Sequence, residues 1–207
     1  MRFELSEEHE AFRKVVRGFA EDQIAPHAAD WDESGEFPLD TVRQMGELGL
    51  FALPFDEDVG GMGGDFTSLC VAIEEIGRVD QSMGITLEAG VGLGINPIYT
   101  FGTEAQKDRY LPDLLTGEAL AGFGLTEAEA GSDAGATRTR AELDGDEWVI
   151  NGSKAFITNA GTEITSVVTI TARTGDNELS SLIVPAGAEG FTVEPAYKKM
   201  GWHASDT

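Results

Sequence analysis

Basic side chains are scarce in this 207-residue chain. Fourteen Lys plus Arg, five of them lysine, stand against 37 Asp plus Glu, a formal charge of −23. A nucleic-acid binder needs a basic footprint to displace phosphate counterions, so that class is excluded. The single cysteine, Cys70, rules out an internal disulfide and a thiolate metal cluster. The three histidines (His9, His27, His203) are scattered, without the short spacings of a zinc site. No apolar run approaches the ~18 residues of a membrane span. The first residues, MRFELSEEHE, are acidic at once and hold no apolar signal region. These absences predict a soluble, cytoplasmic protein. The acids are dispersed rather than gathered into a tail, which suits a surface adapted to high salt, where screening suppresses self-repulsion.

What is present is enough to fold. With 41% apolar and 25% charged residues the chain can bury a core, and its length suits one or two domains. The first part has a helical period. Phe12, Val15, Val16 and Phe19 form one apolar stripe, with Ser6 and the acids behind it as a start signal. A short helix should follow Pro38 with Val42, Met45 and Leu48 inward. FDEDVGGMGG (55–64) reads as a glycine-rich loop whose glycines serve turn geometry. Asp65 should then cap a helix with Phe66, Leu69, Cys70, Ile73 and Ile76 on its packed face. A glycine-weakened helix spans roughly 81–99, and Thr103 with Gln106 makes a capping box for a helix ending near Gly117.

Beyond Gly117 the period becomes that of strands, with Asp144-Gly145 and Asn151-Gly152 as hairpin turn pairs. Strands are predicted near 136–143, 147–150, 153–158, 166–173, 179–185 and 191–194. Helices first and strands afterwards mean an α+β chain or two domains. The chain stops at KKMGWHASDT without a closing helix or turn, which reads as the middle of a domain. Trp31 and Trp148 read as core anchors, and Glu127 and Asp133 as solvated loop acids.

Two stretches can carry chemistry. FGLTEAEAGSD (123–133) gathers a threonine, small residues and a serine in one turn, which can aim hydroxyls and backbone N–H groups at a polar ring edge or a phosphate. It is neither a G-x-G-x-x-G dinucleotide fingerprint nor a Gly-Lys-Ser/Thr phosphate loop. NGSKAFITNAG (151–161), read as a strand, places Phe156 and Thr158 on one face and Ile157 on the other. An aromatic beside a hydroxyl suits a flat ring, although spacing alone favours ordinary β core.

In order and spacing, FGLTEAEAGSD, WVINGSKAFITNAG and MGWHASDT resemble the acyl-CoA dehydrogenase family of flavoproteins. LPFDEDVGGMGGD, EEIGRVD and FGTEAQKDRYLPDLLTGE are similar to family segments as well, so the resemblance covers essentially the whole chain. It implies an N-terminal all-α helical domain (1–118) and an incomplete middle β-barrel-like domain (119–207), the family's C-terminal helical domain lying outside this chain. It implies FAD as cofactor, with Phe123, Gly124, Leu125, Thr126 and Ser132 along one side of the flavin. Phe156, Ile157 and Thr158 would form the other wall. Thr126 would bond the pyrimidine side, Thr158 would donate near N5, and Ser132 would contact FAD or the acyl-CoA substrate. Phe156 stands where a tryptophan is usual, and Ala128-Glu129 where many members have Pro-Gly. His203 resembles a position near the acyl-CoA entrance.

The implied reaction is α,β-dehydrogenation of a fatty or branched acyl-CoA to a trans-2-enoyl-CoA, with electrons passed to an electron-transfer flavoprotein and a homo-oligomer when full length. The family's catalytic carboxylate lies in its C-terminal domain, so no catalytic residue is assigned here and this chain alone is expected to be inactive. An acyl-CoA oxidase, a flavin monooxygenase of the same fold, and a non-catalytic module completed by a partner are the alternatives.

Overall fold

The computed structural model describes residues 4–207. Helix α1 (Glu7–Phe19) starts as its sequence demands: the Ser6 hydroxyl accepts the His9 N–H, and Glu7, Glu8 and Glu10 sit in the first turn. A π-helical turn, Ala20–Ile24, extends it, and α2 (Ala28–Ser34) follows. Val16, Ala20 and Ile24 are buried while Val15 is 54% exposed, so the packed stripe is one residue narrower than its period suggested. Helix α3 (Leu39–Glu47) follows Pro38 and buries Val42 and Met45.

Asp65 caps α4 (Phe66–Gly77) through the Ser68 N–H. The packed face of this helix differs from expectation. Cys70 is exposed and Phe66 is 55% exposed, whereas Leu69, Val71, Ala72, Glu75 and Ile76 are buried. On the buried face Leu69, Ala72 and Ile76 join the central core, and Glu75 receives the Arg17 guanidinium of α1 at 2.8 and 2.7 Å.

The weak helix of residues 81–99 resolves into α5 (Gln81–Glu88), a π-helical segment (Ala89–Ile95) and α6 (Asn96–Phe101). Its glycines have a packing cause at Gly94, where a Cβ would lie 2.6 Å from the Ala121 carbonyl oxygen. The bare backbone lets this segment lie directly on the first strand. The Thr103–Gln106 capping box is complete and opens α7 (Glu104–Leu115).

Strands β1 (Leu120–Gly124), β2 (Arg140–Asp144), β3 (Glu147–Asn151), β4 (Thr165–Gly175) and β5 (Glu178–Pro185) form one mixed sheet in the order β1-β4-β2-β3, with β5 also on β4. β4 pairs in parallel with β1 and β2 and antiparallel with β5. The helical domain followed by a β domain is as expected, and the sheet is open rather than closed.

Three strand expectations are corrected. Residues 153–158 are not a strand, so the alternation of Phe156 and Thr158 against Ile157 does not apply. Residues 191–194 are outside the sheet; the Phe191 N–H closes a turn on Ala188 instead. β2 starts at Arg140, because 134–136 form a 3-10 turn. The β2–β3 hairpin turns one residue beyond the expected pair, at Gly145-Asp146, because Asp144 still pairs with Glu147; Gly145 takes φ +66°. Asn151-Gly152 ends β3 without a hairpin; a Cβ at Gly152 would sit 2.3 Å from Thr139 Oγ1, so close approach is what requires that glycine. Trp31 is half-buried near His27, and Trp148, 44% exposed on the hairpin, is no core anchor. Among the described residues no helix is long and apolar enough to cross a membrane.

Candidate flavin-lining loops

At the end of β1 two segments run side by side, and alternate glycines make this possible. A Cβ at Gly122 would meet the Thr158 carbonyl oxygen at 3.0 Å and Ile157 Cγ2 at 3.1 Å; one at Gly124 would meet Lys154 Cγ at 3.0 Å. The 154–160 segment therefore lies on the bare face of β1, while Phe123 turns to the other face. There it lines a cavity of about 520 Å³ with Ile98, Thr169 and Ile183.

Polar bonds stitch the 125–139 loop to this segment. The Ala155 N–H donates to the Thr126 carbonyl at 2.8 Å. Lys154 Nζ donates to the Leu125 carbonyl (3.1 Å), Glu127 Oε1 (2.7 Å) and Thr171 Oγ1 (3.1 Å). Glu127 also accepts the N–H groups of Arg138 (2.6 Å) and Thr139 (3.0 Å). It is thus not a solvated loop acid: its side chain is 5% exposed and that of Lys154 8%. Burial would raise its pKa, but the Lys154 ammonium and the N–H groups win and hold it at about 2. Asp133 is exposed, as expected of a loop acid.

The backbone here is unusual. Among the described residues the non-glycine residues with positive φ are Phe156 (+61°), Asn159 (+64°) and Trp202 (+58°), the first two in this segment. For bulky side chains such a conformation costs ~1–3 kcal/mol and persists only where the surroundings enforce it. Phe156 is 66% exposed, with its ring 5.3 Å from the Tyr197 ring. Asn159 supplies the enforcement. Fully buried, it donates from Nδ2 to the Thr86 carbonyl on α5 (3.0 Å) and from its N–H to the Asp206 carbonyl (3.1 Å), while its own carbonyl accepts Thr165 Oγ1 (2.8 Å).

The remaining expected residues fall as follows. Thr126 and Leu125 are half-buried, and Gly124 is buried under Lys154. Ser132 is exposed on the returning loop, where a Cβ at its neighbour Gly131 would lie 4.0 Å from the Thr126 methyl. Ile157 and Thr158 are half-buried, and Thr158 Oγ1 shares a hydrogen bond of 3.0 Å with Thr207 Oγ1. A hydroxyl can accept one bond and donate another, so this contact leaves Thr158 able to serve a second partner. His203 bonds Asp32 at 2.9 Å and the Lys199 carbonyl at 2.8 Å, anchoring the last residues on α2. Sequence reasoning missed Lys154 and Asn159. A lone lysine in an apolar stretch and an asparagine, which tolerates left-handed φ, were the available signals.

Comparison with known proteins adds to this geometry. The family models for the acyl-CoA dehydrogenase N-terminal domain and middle domain match residues 6–118 and 122–207. A protein of Bacillus subtilis (strain 168) named "Probable acyl-CoA dehydrogenase" is 49% identical over 210 residues, covering 100% of this chain and 55% of that protein. A structure described for the electron transferring flavoprotein of Acidaminococcus fermentans superposes with a TM-score of 0.93 at 40% identity, covering 99% of this chain and 55% of that one. An acyl-CoA dehydrogenase complexed with FAD from Bacillus anthracis superposes at 0.91 with 35% identity, covering 98% and 35%. The chain spans about half the length of the curated relatives it matches.

Proposed function

This chain belongs to the acyl-CoA dehydrogenase family, and from that membership we propose that it carries the flavin-lining wall for FAD-dependent α,β-dehydrogenation of an acyl-CoA. The product is a trans-2-enoyl-CoA, and the electrons pass to an electron-transfer flavoprotein. The match to a structure described for such a flavoprotein supports that last step.

The observation that carries the cofactor reading is the exposed Phe156 ring, held at φ +61° beside the Thr126 strip. Packing does not require a strained and two-thirds exposed aromatic, whereas stacking on a flat ring requires an accessible face held in a fixed direction. The residues present therefore fit FAD. Phe156 and Ile157 would cover one face of the flavin. Thr126 would hydrogen-bond its pyrimidine side and Thr158 the region of N5, with Ser132 reaching FAD or acyl-CoA. Bound FAD supplies the acceptor for the β hydrogen as hydride. Fixed donors at the ring edge stabilise the charge that develops there.

A base must reach the α proton, and two carboxylates beside the loops are engaged elsewhere. Glu127 is buried in its ion pair, and Asp206 accepts the Gly161 N–H at 2.6 Å. No catalytic residue is assigned. The test is titration of the chain with FAD, followed by flavin fluorescence, with acyl-CoA-dependent dye reduction in parallel. We expect saturable binding and no turnover by the 207 residues alone. Thr158→Val removes a donor worth ~1–3 kcal/mol to a buried acceptor and should weaken FAD binding about tenfold. Absence of saturable binding by the parent overturns the cofactor reading. An unchanged affinity in Thr158→Val removes Thr158 from the site.

A further inference from the structure

We propose that Lys154 and Glu127 are positioning residues: their buried pair sets the distance and tilt between the strip carrying Thr126 and the strip carrying Phe156 and Thr158, and thereby the affinity for flavin. The inference rests on the flavin reading of these loops and extends it to two side chains buried between them.

The ammonium of Lys154 has three donors, and the structure uses two on the loop after β1 and one on the sheet. One goes to Leu125 beside Thr126, one to Glu127, and one to Thr171 on β4. Three fixed acceptors leave the nitrogen no freedom, so the chain two residues before Phe156 is held relative to both the loop and the sheet. Glu127 completes the frame by gathering the N–H groups of Arg138 and Thr139, where the loop returns. The turn between is tight: Glu127 N–H bonds the Ala130 carbonyl at 2.7 Å and Ala130 N–H returns to Glu127 at 3.3 Å.

Stability alone does not account for the pair. Desolvation of two buried charges offsets most of their attraction, and apolar replacements of buried pairs are often neutral or stabilising. Directional bonds give geometry, which apolar contacts of the same volume do not. A merely charge-balancing role would be filled by any cation; a positioning role would not, because a planar guanidinium cannot reproduce three divergent ammonium bonds.

The decisive variant is therefore Lys154→Arg, with Lys154→Met beside it. FAD affinity is read by flavin fluorescence, and hydrogen exchange of the Ala155, Arg138 and Thr139 amides is read without flavin. Lys154→Arg should retain the melting temperature to within a few degrees, weaken FAD binding about tenfold, and raise exchange at those three amides at least tenfold over Leu111 in α7. If Lys154→Met does not fold, Lys154→Arg still decides. Lys154→Arg with parental FAD affinity and parental exchange overturns the proposal. Failure of the parent to bind FAD overturns the flavin reading and with it the affinity claim. The exchange contrast then tests, separately, whether the pair holds the two strips together.

Discussion

Each half of the chain buries one glutamate among the described residues, and the two are served differently. Glu75, 1% exposed, is met by guanidinium groups of Arg13, Arg17 and Arg78, and the side chains of Arg17 and Arg78 are nearly half open to water. Glu127 is met by a buried lysine and two backbone N–H groups. The first arrangement joins helix to helix through side chains that can resolvate if the partner is lost. The second joins loop to loop through main chain, which cannot move aside. The difference teaches what each region is built for: the helical half holds a core, and the sheet half holds a surface in shape.

Packing repeats the contrast. Of the central buried apolar cluster only Ala119, Leu120, Ala121 and Val167 come from the second region; the rest, from Val16 to Leu115, come from the first. Both regions leave large apolar side chains exposed, the helical one Val15, Met62, Phe66, Leu93 and Phe101 and the sheet one more, among them Leu143, Trp148, Phe156, Met200 and Trp202.

The largest expected effect breaks the packing side of this comparison. Phe51 is fully buried at the centre of the helical core, so Phe51→Ala should cost ~3–5 kcal/mol. Trp148→Ala, on the open hairpin, should stay within ~0.5 kcal/mol. Denaturant unfolding of both measures it, and equal losses would show that the sheet is as dependent on large side chains as the helices are.

A medium effect sharpens the comparison of the two glutamates. Both carboxyls are held below the ordinary range. In Glu75 the hydrogen bond from Arg17 is the main cause, while in Glu127 burial acts against the bonds and is overcome, leaving a value of about 2. A depressed folded pKa contributes stability that is full above the unfolded value, ~4.3, and is lost as pH falls through the folded one. Acid unfolding of the parent should therefore steepen between about pH 4.5 and 2. Glu127→Gln should be destabilised at neutral pH and flatter over that window. A parallel pH profile in the variant would show that Glu127 does not titrate with folding.

The smallest effect concerns the surface common to both halves. With −23 formal charge, self-repulsion should fall as the Debye length shrinks from about 30 Å at 0.01 M to about 3 Å at 1 M. Thermal melts in dilute buffer and in molar KCl should differ by several degrees, at about 2–4 °C per kcal/mol. Flat melts would remove the reading of a salt-adapted surface.

Local signals carried much of this protein. Ser6, Asp65 and the Thr103–Gln106 box open helices because a cap needs only its own residue and the next three. Gly145 turns the β2–β3 hairpin for the same reason, one residue along from the expected pair, and the alternating β-branched residues of β4 form its long central strand. The motif pattern led to the family, and thus to the two loops, without any contact being known.

Tertiary structure alone decided the rest. Glu75 is buried and Cys70 exposed on α4, and the partner that satisfies Glu75, Arg17, stands 58 residues away in sequence. Residues 153–158 have the composition of a strand, yet Lys154 and Ala155 spend their donors on Leu125, Thr126 and Glu127 rather than on a ladder. Asn159 keeps its left-handed turn because Thr86 and Asp206 lie within reach. Helix starts and hairpins are set by interactions a few residues long, whereas burial of a charge and strain at an aromatic are set by partners that only the folded chain brings together.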